Sequence, residues 1–228
     1  MKYFFPFLLI LVLLSCQNNQ PKIITVLGEI SPSELGKTLH HEHLLVDFIG
    51  ADSTGYNRWN KQEVVNKVLP FLIEIKNTGY KTLVDATPEY LGRDPQLLKI
   101  LSERSGVQLI SNTGLYAAYE GKHLPEYFYT DTPEQLASRW IAEFQNSIEN
   151  TGVYPGFIKI AVDRRPLEEV HRKVVKAACL THLETGLTIM SHTGLAVPAF
   201  QQIEILEENG IHPSAFIWTH AHNEQDHT

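Results

Sequence analysis

Hydrophobic positions along the chain follow two alternating patterns. Strand-like apolar runs occur at residues 38–44, 81–87, 107–114, 156–163, 187–194 and 215–222. Between them, apolar residues recur at helical spacing in residues 60–79, 94–106, 131–152, 167–186 and 196–210. An earlier segment, "KIITVLGEI", alternates as a short strand or hairpin arm. The regular alternation after it predicts six strands joined by helices, and therefore a parallel sheet.

Polar and titratable residues lie at the carboxyl ends of the predicted strands: His41, His43, Asp85, Asn112, Lys159, Asp163, His192, His220 and His222. Both α/β barrels and doubly wound sheets place their functional sites at this end. Because these residues are spread over nearly every strand, we predict an α/β fold of the TIM (β/α)8-barrel type, with an open doubly wound sheet as the alternative. A closed barrel needs eight units, so we expect a barrel truncated after its sixth strand, in a gene fragment or a truncated product.

The first residues, "MKYFFPFLLILVLLSC", contain an apolar run that is too short for a mature membrane anchor and is typical of a secretory signal peptide. The run ends in "LLSC", which resembles a bacterial lipobox with Cys16 as the lipid-modified residue; a cleaved signal without lipid is the alternative. We predict a signal peptide at residues 1–16, a tether at 17–23 and one incomplete barrel domain at 24–228. We expect the protein to be exported to the periplasm or cell surface as a membrane-anchored lipoprotein. Because the other cysteine, Cys179, lies in a helical stretch, we expect no intramolecular disulfide in the mature chain.

Composition narrows the class of partner. The chain has 228 residues, 43% of them hydrophobic, which is enough for a sizeable core. Its formal net charge of −7 and its lack of a basic stripe argue against nucleic acid as a partner. The eleven histidines cluster in "HHEH", "MSHTG" and "WTHAHNEQDH" rather than being scattered. This clustering points to chemistry at the strand ends.

The first strand and the fourth strand carry the most informative residues. His41 and His43 are two apart in a strand, so both face the same side, where imidazole nitrogens can bind zinc; a pair of hydrogen-bonded core histidines is the alternative. Alternation along "GFIKIAVD" points Lys159 inward, where burial would leave a neutral amine. Such an amine can form a Schiff base, or add carbon dioxide to give a carbamate that bridges two cations. Pairing of Lys159 with Asp85 or Asp163 is the alternative.

Two further strands end in histidine. His192 closes "TIMSH" and His220 closes "FIWTH", and the choice between His220 and His222 as a ligand stays open. Four strand-end histidines and an inward lysine are hard to explain as packing, because each would need its own buried hydrogen-bond partner. The sequence therefore predicts a two-metal site.

The motifs "GKTLHHEHLL", "GFIKIAVD", "SHTG" and "WTHAHNEQD" resemble, in this order and spacing, the phosphotriesterase family of the amidohydrolase superfamily, which includes the phosphotriesterase-like lactonases. The resemblance runs from about residue 24 to the end. It implies a barrel with two divalent metal ions, usually zinc. His41 and His43 would bind one ion, His192 and His220 the other, and Lys159 would bridge the two as a carbamate.

The resemblance also implies a reaction, in which a metal-activated hydroxide attacks a lactone, a carboxylic ester or a phosphoester. Tyr116, in "GLYAAYEGKHLPEYF", would lie near that hydroxide as in the lactonases; a tyrosine that packs the loop is the alternative. A homodimer is compatible with the family. The family has an aspartate at the end of strand eight, which binds the buried metal and takes up the proton of the attacking water. This chain stops earlier, so activity of the 228-residue form is an open question. Two alternatives are a non-catalytic, surface-anchored metal- or ligand-binding lipoprotein and a Schiff-base lyase that uses Lys159.

Overall fold

A parallel sheet runs through the computed structural model, which describes residues 21–225. The predicted signal peptide and most of the tether lie outside these residues. The described part opens with an antiparallel hairpin of β1 (Ile23–Thr25) and β2 (Gly28–Ile30). The backbone N–H of Val26, in the turn of the hairpin, donates to the carbonyl of Leu109 (2.8 Å). The segment predicted as a short strand or a hairpin arm thus forms a hairpin, which is attached to the strand that contains Leu109.

The strands after the hairpin form parallel pairs, and each pairs with the next one along the chain except β5 with β6. They are β3 (Lys37–Glu42), β4 (Tyr80–Asp85), β5 (Gln108–Ile110), β6 (Asn112–Thr113), β7 (Phe157–Ala161), β8 (Ile189–His192) and β9 (Phe216–Thr219). β3, β4 and β5 form one sheet, and β6 to β9 form another. Only Ser111 separates β5 from β6, so a single predicted strand is divided between the two sheets. The α/β class and the parallel sheets are as predicted, and closure into a barrel stays a prediction.

Helices cross between successive strands. They are α1 (Lys61–Asn77), α2 (Pro95–Ser105), α3 (Glu126–Thr130), α4 (Pro133–Asn146), α5 (Glu169–Thr185) and α6 (Ala196–Glu208). Their starts follow ordinary capping chemistry: Asn60, Asp94 and Thr132 each accept a hydrogen bond from a backbone N–H in the first turn. Five of these helices match the predicted stretches, while the short α3 was not predicted. Within residues 21–225, none of the helices has the length and apolar character needed to cross a membrane.

The two faces of the sheet are packed differently. Ile158 and Ile160 of β7 lie in the largest core cluster together with Trp140 of α4 and Val174 of α5. Phe157 of the same strand belongs to a separate cluster with no helix residue among its buried members. Because successive side chains of a strand point to opposite faces, the residues that alternate with Ile158 and Ile160 point away from the helices. This alternation decides where the lysine of β7 points.

Candidate metal centre

His41 and His43 lie where β3 ends. The strand finishes at Glu42, so His43 follows its last residue rather than lying within it as predicted. The two rings nevertheless meet, with centroids 5.2 Å apart. The Nδ1 atom of His43 is 2.9 Å from the hydroxyl of Thr87, so this nitrogen is engaged and the other remains for a ligand. The Nε2 atom of His41 is buried and has no hydrogen-bond partner within residues 21–225.

Lys159 lies in the middle of β7 and is only 1% exposed. Its Nζ atom has no hydrogen-bond partner in the described part of the chain. The alternative that Lys159 pairs with Asp85 or Asp163 is therefore wrong in this structure. Asp85 instead accepts hydrogen bonds from the backbone N–H groups of Leu44 (3.0 Å) and Thr87 (2.9 Å). The inward orientation predicted from alternation is confirmed, and it leaves the amine unpaired.

His192 and His220 complete a continuous group of rings. The centroid of the His220 ring lies 4.7 Å from that of His192 and 4.9 Å from that of His41. The His222 ring is 5.8 Å from that of His220 and lies at the edge of the group. His220 reaches its position through a left-handed backbone conformation with φ of +69°, which is uncommon outside glycine and often occurs at functional sites. This geometry favours His220 over His222 as the residue that faces the other rings.

Burial sets the protonation state of the group. Loss of solvent lowers the pKa of Lys159 from 10.5 to about 7. Burial, and then the charge of Lys159, lower the pKa of His41 and of His192 to about 3. The same two causes lower the pKa of His43 to about 4, although His43 is the most exposed of these histidines. At neutral pH the imidazoles are thus neutral, and the lysine amine is partly neutral, which is the state that binds metals or carbon dioxide.

A layer of buried polar residues supports the strand ends. Burial raises the pKa of Asp85 to about 6, and hydrogen bonds from Leu44 and Thr87 oppose the rise. The side-chain amide of Asn112 donates to the carbonyls of Asp85 and Thr87, at 3.0 Å each. Asn112 therefore joins two neighbouring strand ends, and through Thr87 it holds His43. Asp85 and Asn112, predicted at the same edge of the sheet, act as supports in this structure rather than facing the rings.

Tyr116 lies in the loop after β6 and is 4% exposed. Its ring centroid is 5.3 Å from that of His192, so the residue borders the histidine group. A parallel bridge joins Tyr116 to Ala161 at the end of β7. Just before it, Gly114 has a φ of +117°, and a Cβ atom there would lie 2.2 Å from the carbonyl oxygen of Lys159. Only glycine allows this close approach, which fixes the Tyr116 loop against the lysine strand.

The residues brought together fit a metal centre in which the lysine takes part. Two buried nitrogens, His41 Nε2 and Lys159 Nζ, lack partners at a place where neutral imidazoles converge. In the described residues, no three His, Cys, Asp or Glu side chains form by themselves a group that could hold a metal ion. Lys159, whose buried Nζ atom has no partner within residues 21–225, is therefore a candidate donor in addition to the imidazoles.

A cavity of about 690 Å³ opens beside the histidine group and has His192 in its wall. The other lining residues come from the loops after β6 and β7: Ala118, Tyr119, Glu120, Lys122, Val162, Asp163, Arg164 and Arg165. Of these, the sequence pattern pointed only to His192 and Asp163. The sequence of a loop has no periodicity that could reveal where its side chains point. The two adjacent arginines Arg164 and Arg165, shortly after the end of β7, are the signal in the sequence that marks this wall of the cavity.

Parallel strands with a rim of histidines and a buried lysine define a class of α/β protein that binds ligands at the carboxyl edge of its sheet. Comparison with known proteins gives the family. The profile of the phosphotriesterase family matches residues 21–228. This chain belongs to the phosphotriesterase family.

Individual relatives show the breadth of that family. Aryldialkylphosphatase of Saccharolobus solfataricus is 29% identical over 197 residues, which cover 84% of this chain and 60% of that protein. N-acetyltaurine hydrolase of Homo sapiens is 30% identical over 227 residues, covering 87% of this chain and 64% of the relative. A double mutant of organophosphorus hydrolase from Deinococcus radiodurans superposes with a TM-score of 0.77 at 29% identity, over 86% of this chain and 60% of that one. The chain thus spans about 60% of the length of the relatives it matches.

Proposed function

We propose that this chain is a metal-dependent hydrolase with a binuclear centre, which cleaves a lactone, a carboxylic ester or a phosphoester. The observation that carries the proposal is the unpartnered, buried Nζ of Lys159 beside neutral imidazoles. Burial of an unpaired amine costs free energy of folding, and groups with such strongly shifted pKa values are common at functional sites. The names of the relatives, which include a phosphatase and an amide hydrolase, support hydrolysis as the reaction type.

The residues would divide between two ions. His41 and His43, from one strand end, would hold the first ion, and His192 and His220 would hold the second. When bound, two divalent ions, with zinc as the expected metal, would lower the pKa of a shared water and polarise the substrate oxygen. A carbamate on Lys159 would add oxygen donors to those of the imidazoles.

The chain's own residues prepare this arrangement. The burial that lowers the pKa of Lys159 keeps part of the amine neutral near pH 7, so that its lone pair can add to the carbon of carbon dioxide. The carbamic acid formed then loses its proton, which leaves an anion with two oxygens. Thr87, at 2.9 Å from Nδ1 of His43, orients that ring so that its other nitrogen is available.

Tyr116 is the proposed substrate-facing hydroxyl. Its ring borders His192, and burial, followed by the nearby Tyr119 and Asp163, raises its pKa, so the hydroxyl stays protonated and can donate a hydrogen bond. We expect Tyr116→Phe to fold normally and to lower kcat/KM about tenfold, as the loss of one hydrogen bond to a charged group would.

Elemental analysis tests the metal site. We expect about two metal ions per wild-type chain and fewer than about one in Lys159→Met, which keeps the length of the side chain but removes the amine. Lys67→Met is the matched control, because Lys67 is exposed on α1. Hydrolysis of p-nitrophenyl acetate should be lost on treatment with a chelator and should return with zinc. Two ions per chain in Lys159→Met would contradict the bridging role, and hydrolysis that survives the chelator would contradict metal dependence. Borohydride trapping of a carbonyl compound on Lys159 would instead support a lyase.

A further inference from the structure

The cavity beside His192 has the size of a small-molecule site, and its wall carries an unusual arginine. Its charged lining residues are Glu120, Lys122, Asp163, Arg164 and Arg165. The three cations exceed the two carboxylates, in a chain whose overall net charge is −7. The charged side chains of the cavity thus have a formal excess of one positive charge next to the proposed reaction centre, whereas the whole chain is acidic.

Most of these charges already have partners. Arg165 pairs with Glu168 (3.1 Å) and Asp163 (3.5 Å). Asp163 also accepts a hydrogen bond from the backbone N–H of Tyr119 (2.8 Å) and lies 3.3 Å from Nε2 of His171. The ammonium of Lys122 donates to the carbonyl oxygen of Phe48 (3.0 Å). Their side chains are held by contacts within the protein.

Arg164 differs, because within residues 21–225 it forms neither an ion pair nor a hydrogen bond. Arg164 is exposed, and its aliphatic part lies over Gly194. A Cβ atom on Gly194 would lie 2.4 Å from Cγ of Arg164, so the aliphatic part of the arginine occupies the space that a side chain at 194 would fill. Gly194 follows the end of β8 by two residues, which places the arginine beside His192.

We propose that Arg164 binds an anionic group of the substrate, a carboxylate, sulfonate or phosphate, while the bond to be cleaved lies at the histidine group. The inference rests on the proposed function and narrows its substrate class to hydrolysable compounds that also carry an oxyanion. A guanidinium suits this task, because its planar N–H donors match two oxygens of such a group. Gly194 is a positioning residue, which leaves room for the arginine on the cavity wall.

Two esters with the same leaving group test the proposal in the zinc-loaded protein: neutral p-nitrophenyl acetate and the anionic mono-p-nitrophenyl ester of succinic acid. We expect Arg164→Gln to raise KM for the anionic ester about tenfold, as the loss of one charge-assisted contact would, and to leave kcat/KM for the neutral ester within about twofold. Arg165→Gln removes the same charge from the same cavity and should change the ratio between the two esters by less than about twofold. Gly194→Ala should partly reproduce the effect of Arg164→Gln.

A binding measurement separates failure of this inference from failure of the proposed function. Equilibrium dialysis with p-nitrobenzenesulfonate should show binding to the wild type that weakens about tenfold in Arg164→Gln. If neither ester is hydrolysed but sulfonate binding still depends on Arg164, hydrolysis of carboxylic esters is overturned and the anion site stands. If Arg164→Gln affects both esters equally, or leaves sulfonate binding unchanged, the anion site is overturned whether or not the esters are hydrolysed.

Discussion

Replacement of Lys159 by methionine should change how the stability of the metal-free protein depends on pH. The pKa of this buried lysine is lowered from 10.5 to about 7 in the folded protein. Between these two values the unfolded chain holds a proton that the folded chain does not, so the free energy of unfolding rises with pH. At about 1.4 kcal/mol per pH unit, the lysine destabilises the fold by about 4 kcal/mol near pH 7, by about 2 kcal/mol near pH 9, and not at all above its unfolded pKa.

Urea unfolding measures this pH dependence. The buffer contains a chelator and is freed of carbon dioxide, so that the Lys159 amine carries neither a metal nor a carbamate. From about pH 7 to about pH 9, wild type should gain about 2 kcal/mol of unfolding free energy relative to Lys159→Met. Near pH 7, the variant should be more stable than wild type. The site histidines contribute little in this window, since their lowered folded pKa values and the unfolded value of about 6.5 all lie below it. The raised pKa of Cys179 affects both proteins alike and cancels.

Parallel stability curves for wild type and Lys159→Met would refute the reasoning, since they would show that the lysine is solvated or paired in the folded state. Lys67→Met serves as the control for removal of an exposed charge and should follow the wild-type curve.

Two further predictions concern packing around the site. Gly114→Ala should lower the free energy of unfolding by more than about 3 kcal/mol, because its Cβ would collide with the carbonyl oxygen of Lys159. Gly152→Ala, also at positive φ but with no atom within 4 Å, should lower it by only about 1 kcal/mol. The midpoints of urea unfolding distinguish the two variants. Glu143→Gln should lower the free energy of unfolding by about 3 kcal/mol, because Glu143 forms a 2.6 Å ion pair with the buried Arg93. Glu149→Gln should lower it by less than about 1 kcal/mol, because Glu149 lies 4.0 Å from Arg93. Equal losses of stability in thermal unfolding would contradict this ranking.

Much of the fold follows from the sequence, because parallel strands and their helices have strong periodic patterns. The five predicted helices and six strand runs lie where the structure has them, and the split of the third strand at Ser111 is the main difference within the strands. α3 was missed because it has five residues, fewer than two turns, and begins after Pro125 without a side-chain cap. Such a short helix is stabilised by tertiary contacts, for example those of the buried Phe128, which a local pattern does not encode.

The site could be predicted only where strand geometry fixes the direction of a side chain. Alternation gave the inward direction of Lys159, and strand ends gave the histidines. The same reasoning could not show that Asp85 would bond the backbone instead of the lysine, because that choice depends on the local path of the chain around Thr87. It also could not place Arg164, whose position depends on an open space above a glycine in a different loop.

The contact between Gly114 and the backbone of Lys159 has a consequence for how the proposed hydrolase could change its substrate. Because the two main chains touch and Tyr116 pairs with Ala161, the tyrosine and the lysine behave as parts of one rigid unit. Tyr119 in the turn that follows is tied to that unit, because its backbone N–H donates to Asp163 and its ring stacks on that of Tyr116, whereas the side chain of Glu120 next to it is exposed and lines the cavity. Substitutions there can reshape the entrance while leaving the reactive geometry undisturbed, so selectivity and chemistry are free to evolve separately.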